Sequence, residues 1–126
     1  MKVLVVDDEK DIQPLFEQRF RREVKRGEIS FAFSHSGENA FNYLVDNKNE
    51  VVLILSDINM PGMSGLELLE KIREKYKTPP PLVIMITAYG DEENYKLAME
   101  LGADDFISKP VDFKSLKEKI KTLNYG

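Results

Sequence analysis

The stretch Val51-Val52-Leu53-Ile54-Leu55-Ser56-Asp57 decides how the rest of the chain is read. Its first five residues are all apolar, so a strand formed here has no polar face to turn to water. It must be covered on both sides, which is the situation of a central strand in a parallel sheet. Val3-Leu4-Val5-Val6 and Leu82-Val83-Ile84-Met85-Ile86 have the same character. Shorter, mixed runs around Phe31 and Phe33 and around Phe106 suit flanking positions. Working outward, strands are expected near 2–6, 30–34, 51–56, 82–87 and 105–108, with one helix after each, near 11–25, 37–47, 64–76, 92–101 and 112–123. Leu66, Leu69, Ile72 and Tyr76 recur at helical spacing, as do Phe113, Leu116, Ile120 and Leu123, so each helix offers one apolar stripe to the sheet. Pro79-Pro80-Pro81 ends the third helix. Strand and helix alternating five times is the pattern of an α/β fold with a parallel sheet and crossover helices.

There are no internal repeats, low-complexity tracts or Gly/Ser linkers, and residues 1–126 read as one domain, long enough to close a single core. Hydrophobic residues at 42% and charged residues at 32% fit a soluble globular protein. No apolar run approaches the roughly 20 residues of a membrane span. Met1-Lys2 leads into a run too short for a signal-peptide core, so a cytoplasmic location is expected. The absence of cysteine excludes disulfides and thiolate metal sites. A net charge of −4 argues against this domain itself gripping a nucleic-acid backbone, and a cationic partner or a metal ion fits better. The local exception is Arg19, Arg21, Arg22, Lys25 and Arg26 in the first helix and its exit, Phe16 to Ile29, with Glu17, Glu23 and Glu28 interspersed. That segment reads as a solvated face, or as a docking or dimer contact.

Right-handed crossovers place every strand-to-helix loop on one edge of such a sheet, where ligands bind. Four of the five strand ends carry chemistry for one site there: Asp7-Asp8, Asp57, Thr87 and Lys109. Each alone has an ordinary explanation as a cap, a strand hydroxyl or a surface charge. Together, three converging carboxylates repel one another unless a cation joins them, and an all-oxygen set without histidine or cysteine selects a hard ion such as Mg²⁺. The expected ligands are Asp8, Asp57 and the backbone carbonyl of Asn59, with Asp7 acting mainly through water. A carboxylate oxygen of Asp57 can attack phosphorus to form an acyl phosphate. Lys109 would neutralise the phosphoryl oxygens, and the Thr87 hydroxyl would sense them. His35, the only histidine, has no second histidine or cysteine near it in sequence and is expected to carry neither catalysis nor a metal.

These residues sit in motifs that resemble those of the receiver domains of bacterial response regulators, over essentially the whole chain. The motifs are Val5-Val6-Asp7-Asp8-Glu9, the run Leu55-Ser56-Asp57-Ile58-Asn59-Met60-Pro61-Gly62-Met63-Ser64-Gly65, Ile86-Thr87-Ala88, and Gly102-Ala103-Asp104-Asp105-Phe106-Ile107-Ser108-Lys109-Pro110. The resemblance implies a flavodoxin-like, three-layer (βα)5 fold with strand order 2-1-3-4-5. It implies Mg²⁺-dependent transfer of a phosphoryl group onto Asp57 from the phosphohistidine of a histidine kinase or phosphotransfer domain. It also implies a switch in which Thr87 and Phe106 remodel the face of the fourth helix, fifth strand and fifth helix toward a downstream output domain or protein. Pro110 matches the family's cis peptide after the lysine, and Asn59 and Tyr89 match positions flanking the path of the hydrolysing water. A phosphorylation-dependent homodimer is a further arrangement the resemblance allows. On this reading the chain catalyses only its own phosphorylation and dephosphorylation. Two rivals stand beside it: a phosphorylation-independent receiver-like interaction module, and a metal-dependent phosphatase or nucleotide-using enzyme. The second is disfavoured by the lack of a Gly-rich phosphate loop.

Overall fold

In the computed structural model, which describes residues 1–88 and 90–123, the apolar runs become the middle of a five-stranded parallel sheet. The strands are β1 (Lys2–Val6), β2 (Ser30–Ser34), β3 (Val51–Asp57), β4 (Leu82–Ala88) and β5 (Asp105–Lys109), in the order β2-β1-β3-β4-β5. The helices are α1 (Ile12–Arg19), α2 (Arg21–Lys25), α3 (Gly37–Asp46), α4 (Gly65–Lys75), α5 (Glu92–Glu100) and α6 (Phe113–Leu123).

Why the central strands carry no polar face is visible in the two cores. Leu4, Val6, Ile54, Val83 and Met85 pack with Ala40 and Leu44 of α3, Leu68, Leu69 and Ile72 of α4, and Ala98 of α5. Their neighbours Val3, Val5, Leu53, Leu55, Ile84 and Ile86 pack with Phe16 of α1, Phe20, and Leu116 and Ile120 of α6. Side chains alternate between faces along a strand, so a run apolar at every position serves both layers at once.

The helices α3 to α6 start where short polar side chains satisfy free backbone donors, whereas α1 and α2 have no side-chain cap. Ser36 Oγ accepts from the Asn39 amide, Ser64 Oγ from Glu67, Asp91 Oδ1 from Asn94, and Asp112 Oδ1 from Lys114 and Ser115.

The expected single helix over 11–25 is instead two, divided at Phe20, whose backbone sits at φ −104° and ψ 18°. The chain bends there without losing its hydrogen bonds: the Phe20 amide donates to Phe16 O and the Val24 amide to Phe20 O, both at 2.9 Å. Phe20 is fully buried against Phe16, Phe31 and Phe113, with ring centroids 5.9, 5.1 and 6.1 Å away. Seating that ring among aromatics from β2 and α6 sets the bend. At the end of α2, Gly27 takes φ +75°, and the amides of Gly27 and Glu28 donate back to Val24 and Glu23. That left-handed turn closes the helix and is cheap only for glycine.

Candidate functional site

Three strands deliver side chains to one point on the C-terminal edge of the sheet. Asp7 extends the row of Val3 and Val5, Asp57 that of Leu53 and Leu55, and Lys109 that of Ile107; all these rows face α1 and α6. Thr87 and Phe106 have the opposite parity, that of Val83 and Met85, on the α3–α5 side.

Asp57 is 5% exposed and Asp7 4%, whereas Asp8 is exposed at the mouth. Carboxylate oxygens of Asp7, Asp8 and Asp57 all lie within 4.8 Å of one another. Lys109 crosses over β4 to place Nζ 3.1 Å from Asp57 Oδ2 and 3.6 Å from Asp7 Oδ2. Burial pushes the Asp57 carboxyl above its ordinary range, and neither the Lys109 ammonium nor the Asn59 amide fully offsets it. Burial works to lower the Lys109 ammonium, but the carboxylates of Asp57, Asp7 and Glu9 outweigh it and the net shift is upward. One half-buried cation thus faces three carboxylates, and the site retains an excess of negative charge.

The donor set is all oxygen, clustered and electron-rich, which fits a hard divalent cation. Asp7 already spends Oδ1 on the Glu9 amide at 2.9 Å and turns Oδ2 toward Lys109. Asp57 accepts from Lys109 at 3.1 Å, whereas the Asp8 carboxylate makes no hydrogen bond or ion pair among the described residues.

Thr87 is 0% exposed, one residue past Ile86, the partner of Asp57 in the sheet register. Its hydroxyl has no hydrogen-bond partner among the described residues, an uncommon condition for a buried polar group. Phe106 is half-buried and meets Tyr95 of α5 edge-on, with centroids 5.0 Å apart at 86°. Asn59 is exposed just past β3. The Lys109–Pro110 peptide is cis. Tyr89 lies outside the described residues.

Two parts of the site gain a role only from the structure, although Gly65 closes one of the sequence motifs. Gly65, at the start of α4, comes so close to the end of β3 that a Cβ there would run into the Asp57 carbonyl oxygen and lie 2.8 Å from Ile58 Cα. His35 places Nδ1 2.9 Å from the backbone carbonyl oxygen of Asp7, a contact between segments 28 residues apart.

An open groove of about 840 Å³ runs from Asp7 and Lys109 along Ile12, Leu15 and Phe113 to Arg19. Arg19 also lines a second groove of about 510 Å³ shared with Gln18, Arg21, Arg22, Lys25 and Lys117. Among the described residues no helix is long and apolar enough to cross a membrane.

Comparison with known proteins agrees with this geometry. Residues 3–121 match the model of the response regulator receiver domain family. A response regulator receiver domain protein from Clostridium thermocellum superposes with a TM-score of 0.84 at 29% identity, over 97% of this chain and 92% of that one. The receiver domain of the Francisella response regulator 1452 gives 0.81 at 28% identity, over 97% and 94%. The receiver domain of Saccharomyces cerevisiae Ssk1, solved in complex with the histidine phosphotransfer signalling protein Ypd1, gives 0.84 at 25% identity, over 96% and 86%.

Proposed function

The chain belongs to the response regulator receiver domain family, signalling modules of two-component pathways, and from that premise we propose that it is a phosphoacceptor switch with Asp57 as its acceptor. The observation that carries this reading is the buried Asp57 carboxylate bonded by Lys109 at 3.1 Å inside a cluster of acids. A carboxylate oxygen of Asp57 attacks the phosphorus of a phosphohistidine on a histidine kinase or phosphotransfer protein. The P–O bond forms as the P–N bond breaks, and the electron pair leaves with the donor imidazole. Lys109, already within bonding distance of Asp57, follows the charge onto the phosphoryl oxygens. Asp8, Asp57 and the Asn59 carbonyl would hold Mg²⁺, with Asp7 through water, and the ion would supply positive charge against the same oxygens. Water later attacks the acyl phosphate and returns the free carboxylate and inorganic phosphate. No separate substrate is turned over.

The unpartnered Thr87 hydroxyl supports a role as sensor, since an acyl phosphate on the neighbouring strand supplies the acceptor it lacks. Thr87 and Phe106 share one side of the sheet, and their movement would change the face of α5, β5 and α6 offered to an output partner. Phe106 has no hydroxyl, so any change of rotamer there works by packing, against Tyr95 among others. Tyr89 is proposed to shield the acyl phosphate from water. Residues 1–126 act as one cytoplasmic receiver unit that binds no nucleic acid itself.

The test is to incubate the protein with Mg²⁺ and a small acyl phosphate or phosphoramidate and to weigh it intact. A phosphoryl mass that is absent in Asp57→Ala is the expected result. No added mass despite bound Mg²⁺ would mark a phosphorylation-independent interaction module, and turnover of a separate substrate an enzyme.

A further inference from the structure

Asp8 is the one exposed member of the acidic cluster, yet it must stand in a fixed place if it is to share a cation with Asp57. Its backbone is constrained on its C-terminal side by a short turn in which Asp7 Oδ1 accepts the Glu9 amide at 2.9 Å. On its N-terminal side lies the Asp7–Asp8 peptide, the first after β1 ends at Val6. The ladder still fixes the nitrogen of Asp7, which donates to Ser34 O at 3.0 Å. The Asp7 carbonyl is held by His35 Nδ1 at 2.9 Å.

A carbonyl oxygen can only accept, so the imidazole must donate, and neutral His35 must carry its proton on Nδ1. A peptide unit is planar, and pinning its carbonyl also fixes the amide of Asp8. We infer that His35 is a positioning residue for the cation site: it clamps the Asp7–Asp8 peptide and thereby holds the Asp8 carboxylate in the cluster against the repulsion of Asp7 and Asp57. His35 touches neither cation nor phosphoryl group in this role. The inference rests on the site reading above.

Three measurements test it. His35 is the only histidine, so a long-range ¹H–¹⁵N spectrum of the metal-free protein near pH 8 reports one ring, and the Nδ1–H tautomer is expected; the Nε2–H tautomer overturns the proposal. His35→Phe keeps the ring and removes the donor, whereas His35→Asn keeps a donor close to the position of Nδ1. In a calorimetric Mg²⁺ titration His35→Phe should bind about five-fold more weakly, the worth of one part-buried hydrogen bond. His35→Asn should recover most of that loss. Equal affinities in all three proteins, or loss in His35→Asn as large as in His35→Phe, overturn it. Hydrogen exchange of the Asp8 amide without metal should speed up in His35→Phe and not in His35→Asn. If the parent binds no Mg²⁺, the cation site itself is misread; the tautomer and the exchange rates still decide whether His35 clamps the peptide.

Discussion

At the scale of single residues the site is a balance of protonation and burial. Asp57 has its carboxyl raised chiefly by burial, with Lys109 at 3.1 Å only partly opposing this. Between the carboxyl's unfolded value and its raised folded value, the native state binds more protons than the unfolded chain. The Asp57 contribution therefore declines as pH rises through that window, and it remains unfavourable above it while no cation is bound. Asp57→Asn is accordingly expected to raise the thermal midpoint of the metal-free protein at neutral pH. Asp7, 3.6 Å from the same ammonium, keeps Lys109 paired in the variant. In thermal melts the gain should vanish well below the ordinary carboxyl range and shrink when Mg²⁺ is added; a lower midpoint for Asp57→Asn at neutral pH would contradict the balance drawn here. Thr87 gives a second prediction. Its hydroxyl is buried without a partner, so Thr87→Val, which keeps the shape, should leave the unphosphorylated protein as stable as before or about 1 kcal/mol more so. The same variant should accept phosphate from a small donor, yet phosphorylation should no longer shift the NMR signals of Phe106 and Tyr95. A loss of stability in the unphosphorylated Thr87→Val protein would mean the hydroxyl already has a role at rest.

At the scale of elements, the two edges of the sheet separate function from stability. On the C-terminal edge α4 begins with Gly65 against the Asp57 carbonyl, and its amide donates to Ile58 O at 2.8 Å. Gly65→Ala must push α4 or the end of β3 aside, at a cost of about 1–3 kcal/mol for overpacking. It is expected both to lower the urea midpoint and to slow phosphorylation of Asp57 by a small donor. On the opposite edge Arg73 of α4 donates to Gly102 O at 3.0 Å, to Pro81 O at 3.0 Å and to Asp104 at 2.7 Å. That carboxylate in turn receives the Val83 amide. A lysine cannot reproduce this fork, so Arg73→Lys should cost about 1–3 kcal/mol in the same denaturation experiment while the phosphorylation rate stays unchanged. A fall in rate as large as that in Gly65→Ala would show that the two edges are coupled. The same elements show what can be read from sequence. The strands and their order follow from runs apolar on both faces together with the family motifs, and Asp7, Asp8, Asp57 and Lys109 were legible as polar breaks at strand ends. Asp57, Ala88 and Lys109 are themselves the last strand residues, one beyond the expected ends, because a polar or small residue that continues the ladder looks like the start of a loop. The bend at Phe20 was not legible, since rings from β2 and α6 impose it. Neither was the His35 contact, which exists only because β2 lies beside β1. Local pattern carries no record of such neighbours.

At the scale of the whole molecule, charge is unevenly spread. The chain carries a net −4, yet Arg19, Arg21, Arg22 and Lys25 are exposed on α1 and α2 and form no ion pair among the described residues. Glu23, the acid within the cluster, is occupied by Lys117 at 3.2 Å. The resulting basic groove meets the groove leading to Asp7 and Lys109 at Arg19, so a protein bringing its phosphohistidine to Asp57 can cover both. Apolar Ile12, Leu15 and Phe113 line the part nearest the site, whereas only cations and Gln18 line the distal part. A donor with acidic residues flanking its histidine is matched to that order, and such complementarity acts mainly on encounter and register. Reversing Arg22→Glu and Lys25→Glu together should therefore slow transfer from a phosphorylated histidine phosphotransfer protein of the cognate pathway, by about ten-fold at low salt. The deficit should narrow as salt rises, because exposed charges are screened beyond roughly 8–10 Å at physiological ionic strength. Phosphorylation by a small donor should be unaffected, since neither side chain lies at Asp57. Stopped-flow transfer measured at several salt concentrations, beside intact-mass kinetics with the small donor, separates the outcomes. Equal transfer rates in the parent and the reversed variant at low salt would assign this face to solvent and leave donor recognition to the apolar groove alone.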